Sequence, residues 1–196
     1  MLQAERLEKI KEHLVKHEFA DIHELAEILH ISTATVRRAL KKLENDKIVE
    51  LTRGGAALAK KGSVYEHPYL IKQQLNAEEK HRIAGEAIRH IHVNESVFLD
   101  SSSTVYEMTH FLTRFHNVMV ATNDVLIASA LTNAENITVS VIGGTLRKHY
   151  YTLTGYFAEL IIKDICFDYA FLGVDTISLK GGLMITNIEE VQIKRK

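Results

Sequence analysis

The chain has 196 residues with a formal net charge of −1; 46% are hydrophobic and 25% are charged, and one Cys, one Pro and no Trp are present. This composition is typical of a folded globular protein and excludes a disordered one. No apolar run reaches the roughly 18 residues of a membrane helix. Because the N-terminal residues are charged, we expect no signal peptide. The single cysteine, Cys166, excludes an internal disulfide or a cysteine-rich zinc module, so we expect a cytoplasmic protein in which Cys166 is buried.

The small net charge conceals a basic segment. Residues 33–61 carry eight Lys or Arg and three Asp or Glu, and the segments on either side are acidic overall. Because phosphate binding depends on local rather than total charge, this segment is compatible with a nucleic-acid partner. On charge alone, a solvated helix face is the simpler interpretation.

Residues 1–58 predict three short helices and a hairpin. Leu7, Ile10 and Leu14 follow one another at helical spacing and form the apolar stripe of the first helix. Asp21 and Ser32 precede the next two apolar stripes and are expected to cap the second and third helices. The segment IVELT, the turn at residues 53–55 and the segment AALA then predict a hairpin.

This order of elements is typical of a winged helix–turn–helix. The second helix of such a pair enters the major groove with its N-terminal residues foremost, where arginine pairs with guanine and hydroxyls anchor phosphates. The alternative is a small helical interaction module with an exposed basic face. The predicted DNA-binding residues are Ser32, Thr33, Thr35, Arg37, Arg38, Lys41 and Lys42 of the third helix, and Arg53 and Gly54 of the wing.

The pattern changes after residue 58. Residues 59–75 hold the single proline and lack periodicity, so they are predicted to be a linker. From residue 76 to residue 196, helical patterns alternate with short apolar strands, which predicts an α/β domain with a mostly parallel sheet and crossover helices. The predicted strands are residues 96–99, 118–121, 137–142 and 169–174.

Polar residues or glycines follow each predicted strand of this second domain. In parallel sheets ligands bind beyond the carboxyl ends of the strands, and hydroxyls with free backbone amides at a helix start suit a phosphate. The alternative is that Gly and Ser simply form tight turns. No metal site and no cofactor fingerprint are predicted. The residues expected at a ligand site are Asp100, Ser101, Ser102, Ser103, Thr104, Thr122, Asn123, Gly143, Gly144, Arg147 and Asp175.

These motifs, taken in order, resemble the DeoR family of bacterial transcriptional regulators. The resemblance rests on Ser32-x-x-Thr35-Val36-Arg37-Arg38-x-Leu40 with Arg53-Gly54-Gly55-Ala56, on Asp100-x-Ser-Ser103-Thr104, and on Thr122-Asn123, Gly143-Gly144, Gly155, Asp168-x-Ala170-Phe171-x-Gly173 and Glu190-x-x-x-Lys194. It covers essentially the whole chain, although such sensor domains usually continue for about fifty further residues, so the sequence resembles a C-terminally shortened member.

The resemblance implies a regulator of a sugar-catabolic operon, more often a repressor than an activator. It implies a sensor domain similar in fold to ribose-5-phosphate isomerase that binds a phosphorylated sugar, with Lys194 added to the site, and a homo-oligomer that binds double-stranded operator DNA. No catalytic residue is expected. Two alternatives stay open, namely a constitutive DNA-binding protein with a non-functional sensor, and a sugar-phosphate isomerase with Asp168, Asp175 or Glu190 as its base.

Overall fold

The computed structural model describes residues 2–59 and 66–195, and the chain forms two compact units that divide between Leu75 and Asn76. No helix in the described part of the chain is long and apolar enough to cross a membrane. The two units are a helical domain with a small sheet and an α/β domain with a parallel sheet, as the sequence predicts.

The first unit contains four helices and a three-stranded antiparallel sheet. The helices are α1 (Gln3–His17), α2 (Ile22–Leu29), α3 (Thr33–Asn45) and α4 (Tyr69–Gln74), and the strands are β1 (Phe19–Asp21), β2 (Val49–Thr52) and β3 (Gly55–Leu58), in the order β1-β3-β2. The apolar stripes of α1, α2 and α3 meet in one core, whose fully buried members include Ile10, Leu14, Leu25, Leu40 and Leu43.

Side-chain caps fix where the second and third helices begin. The Asp21 carboxylate accepts hydrogen bonds from the backbone N–H groups of His23 (2.7 Å) and Glu24 (3.3 Å), and the Ser32 hydroxyl accepts one from Thr35 N–H (3.3 Å). Each cap satisfies donors that the first turn of a helix leaves unpaired. Both caps therefore lie where the sequence predicts them.

Two features of the first unit differ from the prediction. Strand β1, which the sequence does not predict, pairs with β3 and completes the sheet. This pairing brings the backbone of Ala20 so close to Gly55 that a Cβ at Gly55 would lie 2.2 Å from the Ala20 carbonyl oxygen. In addition, part of the predicted linker 59–75 is helix α4, whose Ile71 joins the core of the first unit; residues 60–65 lie outside the described residues.

The second unit is built on a sheet of four parallel strands, which are β4 (Ser96–Leu99), β5 (Val118–Thr122), β6 (Ile137–Val141) and β9 (Tyr169–Phe171). Their order in the sheet is β6-β5-β4-β9. The helices are α5 (Ala77–Ala87), α6 (Ser103–Tyr106), α7 (Thr109–Leu112), α8 (Val125–Ala130), α9 (Tyr156–Lys163) and α10 (Ile188–Lys194), with a 3-10 turn at Ile88–His90. Apolar residues pack on both faces of the sheet in two clusters, as is usual for a parallel sheet.

Two antiparallel hairpins in this unit were not predicted. They are formed by β7 (Thr145–Arg147) with β8 (Thr152–Thr154) and by β10 (Thr176–Ser178) with β11 (Gly182–Met184). The first hairpin follows the double glycine, where Gly144 lies so close to the Thr154 carbonyl oxygen that an added Cβ would be 2.5 Å from it. Cys166 is exposed on the loop between α9 and β9, so the prediction that it is buried is wrong.

Candidate nucleic-acid interface and ligand site

The start of α3 presents hydroxyl groups beside basic side chains. The hydroxyl oxygens of Ser32 and Thr35 lie 2.9 Å apart, and the Arg38 guanidinium donates to Thr35 Oγ1 at 3.4 Å. Thr33 is exposed only in part, whereas Arg37 and Arg38 are exposed. The first turn of α3 is therefore held by its own polar contacts while its cations remain accessible.

One groove of about 390 Å³ is lined by basic side chains of α3 and by residues of the wing strand β2. Arg37, Arg38 and Lys41 line it from α3, and Leu51 and Thr52 line it from β2. Because residues 37 and 41 are one turn apart, both cations face the same side of the helix. The groove is therefore lined by three cations of α3 together with apolar side chains of α3 and β2, an arrangement compatible with a nucleic-acid partner.

Of the remaining predicted DNA-binding residues, two lie in the wing turn and one lies on α3 outside the groove. Arg53 and Gly54 form the exposed turn of the wing, and Gly54 has a φ of 93°, which is open to glycine and unfavourable for other residues. Lys42 is exposed on α3 but does not line the groove, and Lys41 is paired with Glu44 at 2.6 Å. Leu51, which lines the groove from β2, was not among the predicted residues.

In the second unit, the centre of the candidate ligand site is Asp100, which follows β4 and is almost fully buried. Its carboxylate accepts a hydrogen bond from Gly173 N–H at 2.9 Å and a short one from the Lys194 ammonium. Lys194 also donates to the Gly173 carbonyl oxygen at 2.9 Å. Burial raises the pKa of Asp100, and the neighbouring Lys194 charge acts in the opposite direction.

A second polar cluster adjoins Asp100 at the ends of β4 and β5. Ser101 donates its hydroxyl to the Asp124 carboxylate at 2.7 Å and lies 2.7 Å from the Thr152 hydroxyl, while its backbone N–H donates to the Asn123 side chain at 3.1 Å. Asp124 also caps α8 through Leu126 N–H, and burial raises its pKa. Asp124 was not among the predicted site residues, although an acidic residue before a helical pattern signals such a cap.

Several predicted ligand residues serve the local backbone. Ser102 caps α6 by accepting from Thr104 N–H at 3.2 Å, and Ser103 is buried. Thr122 accepts from the backbone N–H of Asp124 at 3.0 Å. The position of Gly143 is open, in contrast to that of Gly144, which is packed against the hairpin.

Arg147 enters the site from the β7–β8 hairpin and meets a carboxylate from α10. Its guanidinium donates to Glu190 Oε1 at 2.9 Å and lies 3.7 Å from the centre of the Tyr150 ring. The other oxygen of Glu190 is 3.5 Å from the Lys194 ammonium. Asp100, Lys194, Glu190 and Arg147 therefore form one continuous chain of ion pairs.

Two acidic residues considered for an isomerase lie in other surroundings. Asp168 accepts from the backbone N–H (2.7 Å) and the hydroxyl (2.9 Å) of Ser96, and these hydrogen bonds lower its pKa. Since Ser96 begins β4, Asp168 lies at the amino ends of the parallel strands, opposite the candidate site. Asp175 is exposed and accepts from Thr186 N–H (2.8 Å) and the Thr186 hydroxyl (2.7 Å).

Two family models together match most of the chain. The DeoR-like helix-turn-helix domain matches residues 6–62, and the DeoR C terminal sensor domain matches residues 75–196. The chain belongs to the DeoR family. The predicted family, the overall fold class and the function of a DNA-binding transcriptional regulator are thereby confirmed.

Relatives extend this finding over nearly the whole sequence. The chain is 32% identical to the HTH-type transcriptional regulator GlpR of Haloferax volcanii, with 99% of the chain and 75% of the relative covered. It is 32% identical to the HTH-type transcriptional repressor GlcR of Bacillus subtilis (100% and 75%) and 28% identical to the glycerol-3-phosphate regulon repressor of Escherichia coli (100% and 77%). All three names describe regulators of transcription.

Proposed function

We propose that this DeoR-family member represses a sugar-catabolic operon and is released from its operator by a phosphorylated sugar. The observation that carries the proposal is the meeting of Arg147 and Lys194 at the carboxyl edge of the parallel sheet, where both contact Glu190. Two cations so close together mark a position at which an anionic group is stabilised. The name of one relative, the glycerol-3-phosphate regulon repressor of Escherichia coli, supports a small phosphate ester as the effector.

Operator binding is assigned to α3 and the wing. Arg37, Arg38 and Lys41 line the same groove as residues of β2. We therefore propose that they contact the bases or the phosphates of the duplex, while Arg53 contacts the adjacent DNA backbone. Arg37→Ala is expected to weaken specific binding by about 1–3 kcal/mol if Arg37 pairs with a base. Lys16→Ala, which removes an exposed charge from α1, is the matched control.

The test is fluorescence anisotropy of a labelled duplex from upstream of the gene against a random duplex, at fixed salt. Specific binding that one sugar phosphate reverses supports the proposal. Arg147→Gln should retain DNA binding and lose this response, whereas Lys163→Gln, an exposed lysine of α9, should retain both. Specific binding that no compound of the panel affects would instead support the constitutive DNA-binding protein.

We further propose that the chain does not act as an isomerase. Asp168 lies at the opposite edge of the sheet, Asp175 is bound to Thr186, and Glu190 is paired with two cations. Of these three carboxylates only that of Glu190 lies at the candidate site, and its ion pairs with Arg147 and Lys194 argue against a role as general base. Turnover of ribose 5-phosphate by the purified protein would contradict this.

We propose that two or more copies associate on the operator, in the cytoplasm where the DNA is. Helix–turn–helix proteins bind half-sites about one helical turn apart as symmetric dimers, and one copy supplies a single recognition helix. Light scattering after size-exclusion chromatography should give at least twice the monomer mass of 22.2 kDa. A monomer that still binds the operator specifically would contradict the proposal.

A further inference from the structure

Glu190 occupies the place between two cations that an anionic ligand would require. Its Oε1 is 2.9 Å from the Arg147 guanidinium and its Oε2 is 3.5 Å from the Lys194 ammonium. The side chains involved are largely buried, with 12% of Glu190, 18% of Arg147 and 9% of Lys194 exposed. A carboxylate that spans two cations with its two oxygens has the same contacts that two phosphoryl oxygens would make.

The charges already present around this position disfavour the binding of an additional anion. Arg147 and Lys194 supply two positive charges, while Asp100, Glu190 and the adjoining Asp124 supply three carboxyl groups. A phosphoryl group carries further negative charge, and like charges in a poorly solvated site repel strongly. A phosphorylated ligand therefore binds more favourably when one of these carboxylates moves away.

Glu190 is the carboxylate best placed to leave. Asp100 directly follows β4 and accepts the backbone N–H of Gly173, and Asp124 accepts backbone N–H groups at the start of α8. Both are tied to the strand and helix ends that build the sheet edge. Glu190 instead extends from the short helix α10 on a longer side chain, and its carboxylate oxygens contact the side chains of Arg147 and Lys194.

We propose that Glu190 is an internal competitor that occupies the phosphoryl position between Arg147 and Lys194, and that the effector's phosphoryl group displaces it. This inference rests on the proposed function, because it assigns the phosphate of the effector to this position. Displacement breaks the contact that joins α10 to the β7–β8 hairpin, so ligand binding loosens α10. The affinity of the wild type for phosphate is reduced by the free energy of the Glu190 contacts.

The experiment is isothermal titration calorimetry of the full chain with inorganic phosphate. Glu190→Gln keeps the size of the side chain and removes its charge, and we expect it to bind phosphate at least about tenfold more tightly than the wild type, the factor that a free-energy difference of about 1.4 kcal/mol produces. Glu189→Gln removes an exposed charge from the same helix and should leave the affinity unchanged. Lys194→Met should weaken binding.

Two further measurements test the inference even if Glu190→Gln fails to fold. Glu190→Asp withdraws the carboxylate by one methylene and should also tighten phosphate binding. In the wild type, saturating phosphate should increase hydrogen exchange in residues 188–194, because α10 loses its contact with Arg147. Unchanged or slower exchange there, or weaker phosphate binding by Glu190→Gln, would overturn the inference and make Glu190 a residue that positions Arg147.

The result separates this inference from the proposed function. If a sugar phosphate releases operator DNA from the wild type but Glu190→Gln binds phosphate no more tightly, the proposed role of Glu190 as an internal competitor is refuted and the proposed effector-responsive repressor is supported. If Glu190→Gln binds phosphate more tightly but no sugar phosphate affects DNA binding, the competitor stands and the effector-responsive repressor is refuted. If neither protein binds phosphate, the position is not an anion site and the inference fails.

Discussion

Replacement of Lys194 by Met tests whether the ion-pair chain at the sheet edge is truly buried. Met retains an unbranched side chain and removes the positive charge. The Lys194 side chain is 9% exposed and that of Asp100 is 1% exposed, so water cannot replace the lost ammonium. Asp100 would keep the hydrogen bond from Gly173 N–H but would lose its countercharge.

The expected loss is large for a single substitution. Removing one partner of a buried ion pair typically costs about 3–5 kcal/mol, because the other charge is left buried without compensation. This is a substantial part of the roughly 5–15 kcal/mol that stabilises a domain. Burial already raises the pKa of Asp100, and loss of Lys194 raises that pKa further. The loss should therefore be largest above the raised pKa and shrink as the pH falls through it and Asp100 takes up a proton.

Hydrogen exchange of the β4 amides is the assay, because it reports the opening of the second unit without interference from the first. Lys163→Met, on the exposed side of α9, controls for the loss of one charge and should have little effect. Asp100→Asn combined with Lys194→Met should recover much of the loss, since residue 100 then carries no carboxylate that lacks its countercharge. A loss below about 1 kcal/mol in Lys194→Met would show that the pair behaves as an exposed one, and would refute the buried network.

Three other substitutions test the parts that hold the two sites. Ser32→Ala should destabilise the first unit by about 1 kcal/mol in urea unfolding, since Thr35 N–H loses its side-chain acceptor; no change would mean that the cap is dispensable. Gly55→Ala should cost about 1–3 kcal/mol by circular dichroism, because the new Cβ would meet the Ala20 carbonyl 2.2 Å away; wild-type stability would contradict this packing. Asp124→Asn retains a hydrogen-bond acceptor for α8 and removes a carboxyl group whose pKa is raised by burial. The stability of this variant relative to the wild type should therefore increase from about pH 4 to about pH 7. A decrease would mean that the folded protein favours the charged form of Asp124.

The first unit could be predicted well because its signals are local. Asp21 and Ser32 cap helices whose apolar stripes follow directly in sequence, so spacing alone places them. Strand β1 could not be predicted in the same way. Its three residues are too few to show a period, and it exists because Gly55 allows β3 to approach Ala20.

The ligand site could be predicted only in outline. The rule that ligands bind at the carboxyl ends of parallel strands indicates Asp100 and Asn123 from the strand pattern. It does not indicate their partners, because Lys194 meets Asp100 across 94 positions of sequence and Arg147 meets Glu190 across 43. The β7–β8 hairpin that delivers Arg147 has strands too short to give a pattern.

Arg147 and Lys194 are both paired with carboxylates in a largely buried part of the second unit. Two unpaired cations in a largely buried site would destabilise the second unit, and Asp100 and Glu190 remove that penalty. A ligand can shift a conformational equilibrium only through a difference in its affinity for the two states. We propose that the phosphoryl group displaces Glu190, so it would bind only the state in which α10 has released Arg147. Each ligand bound would then stabilise that state, and the ion pair between Glu190 and Arg147 would be the contact through which occupancy changes the structure.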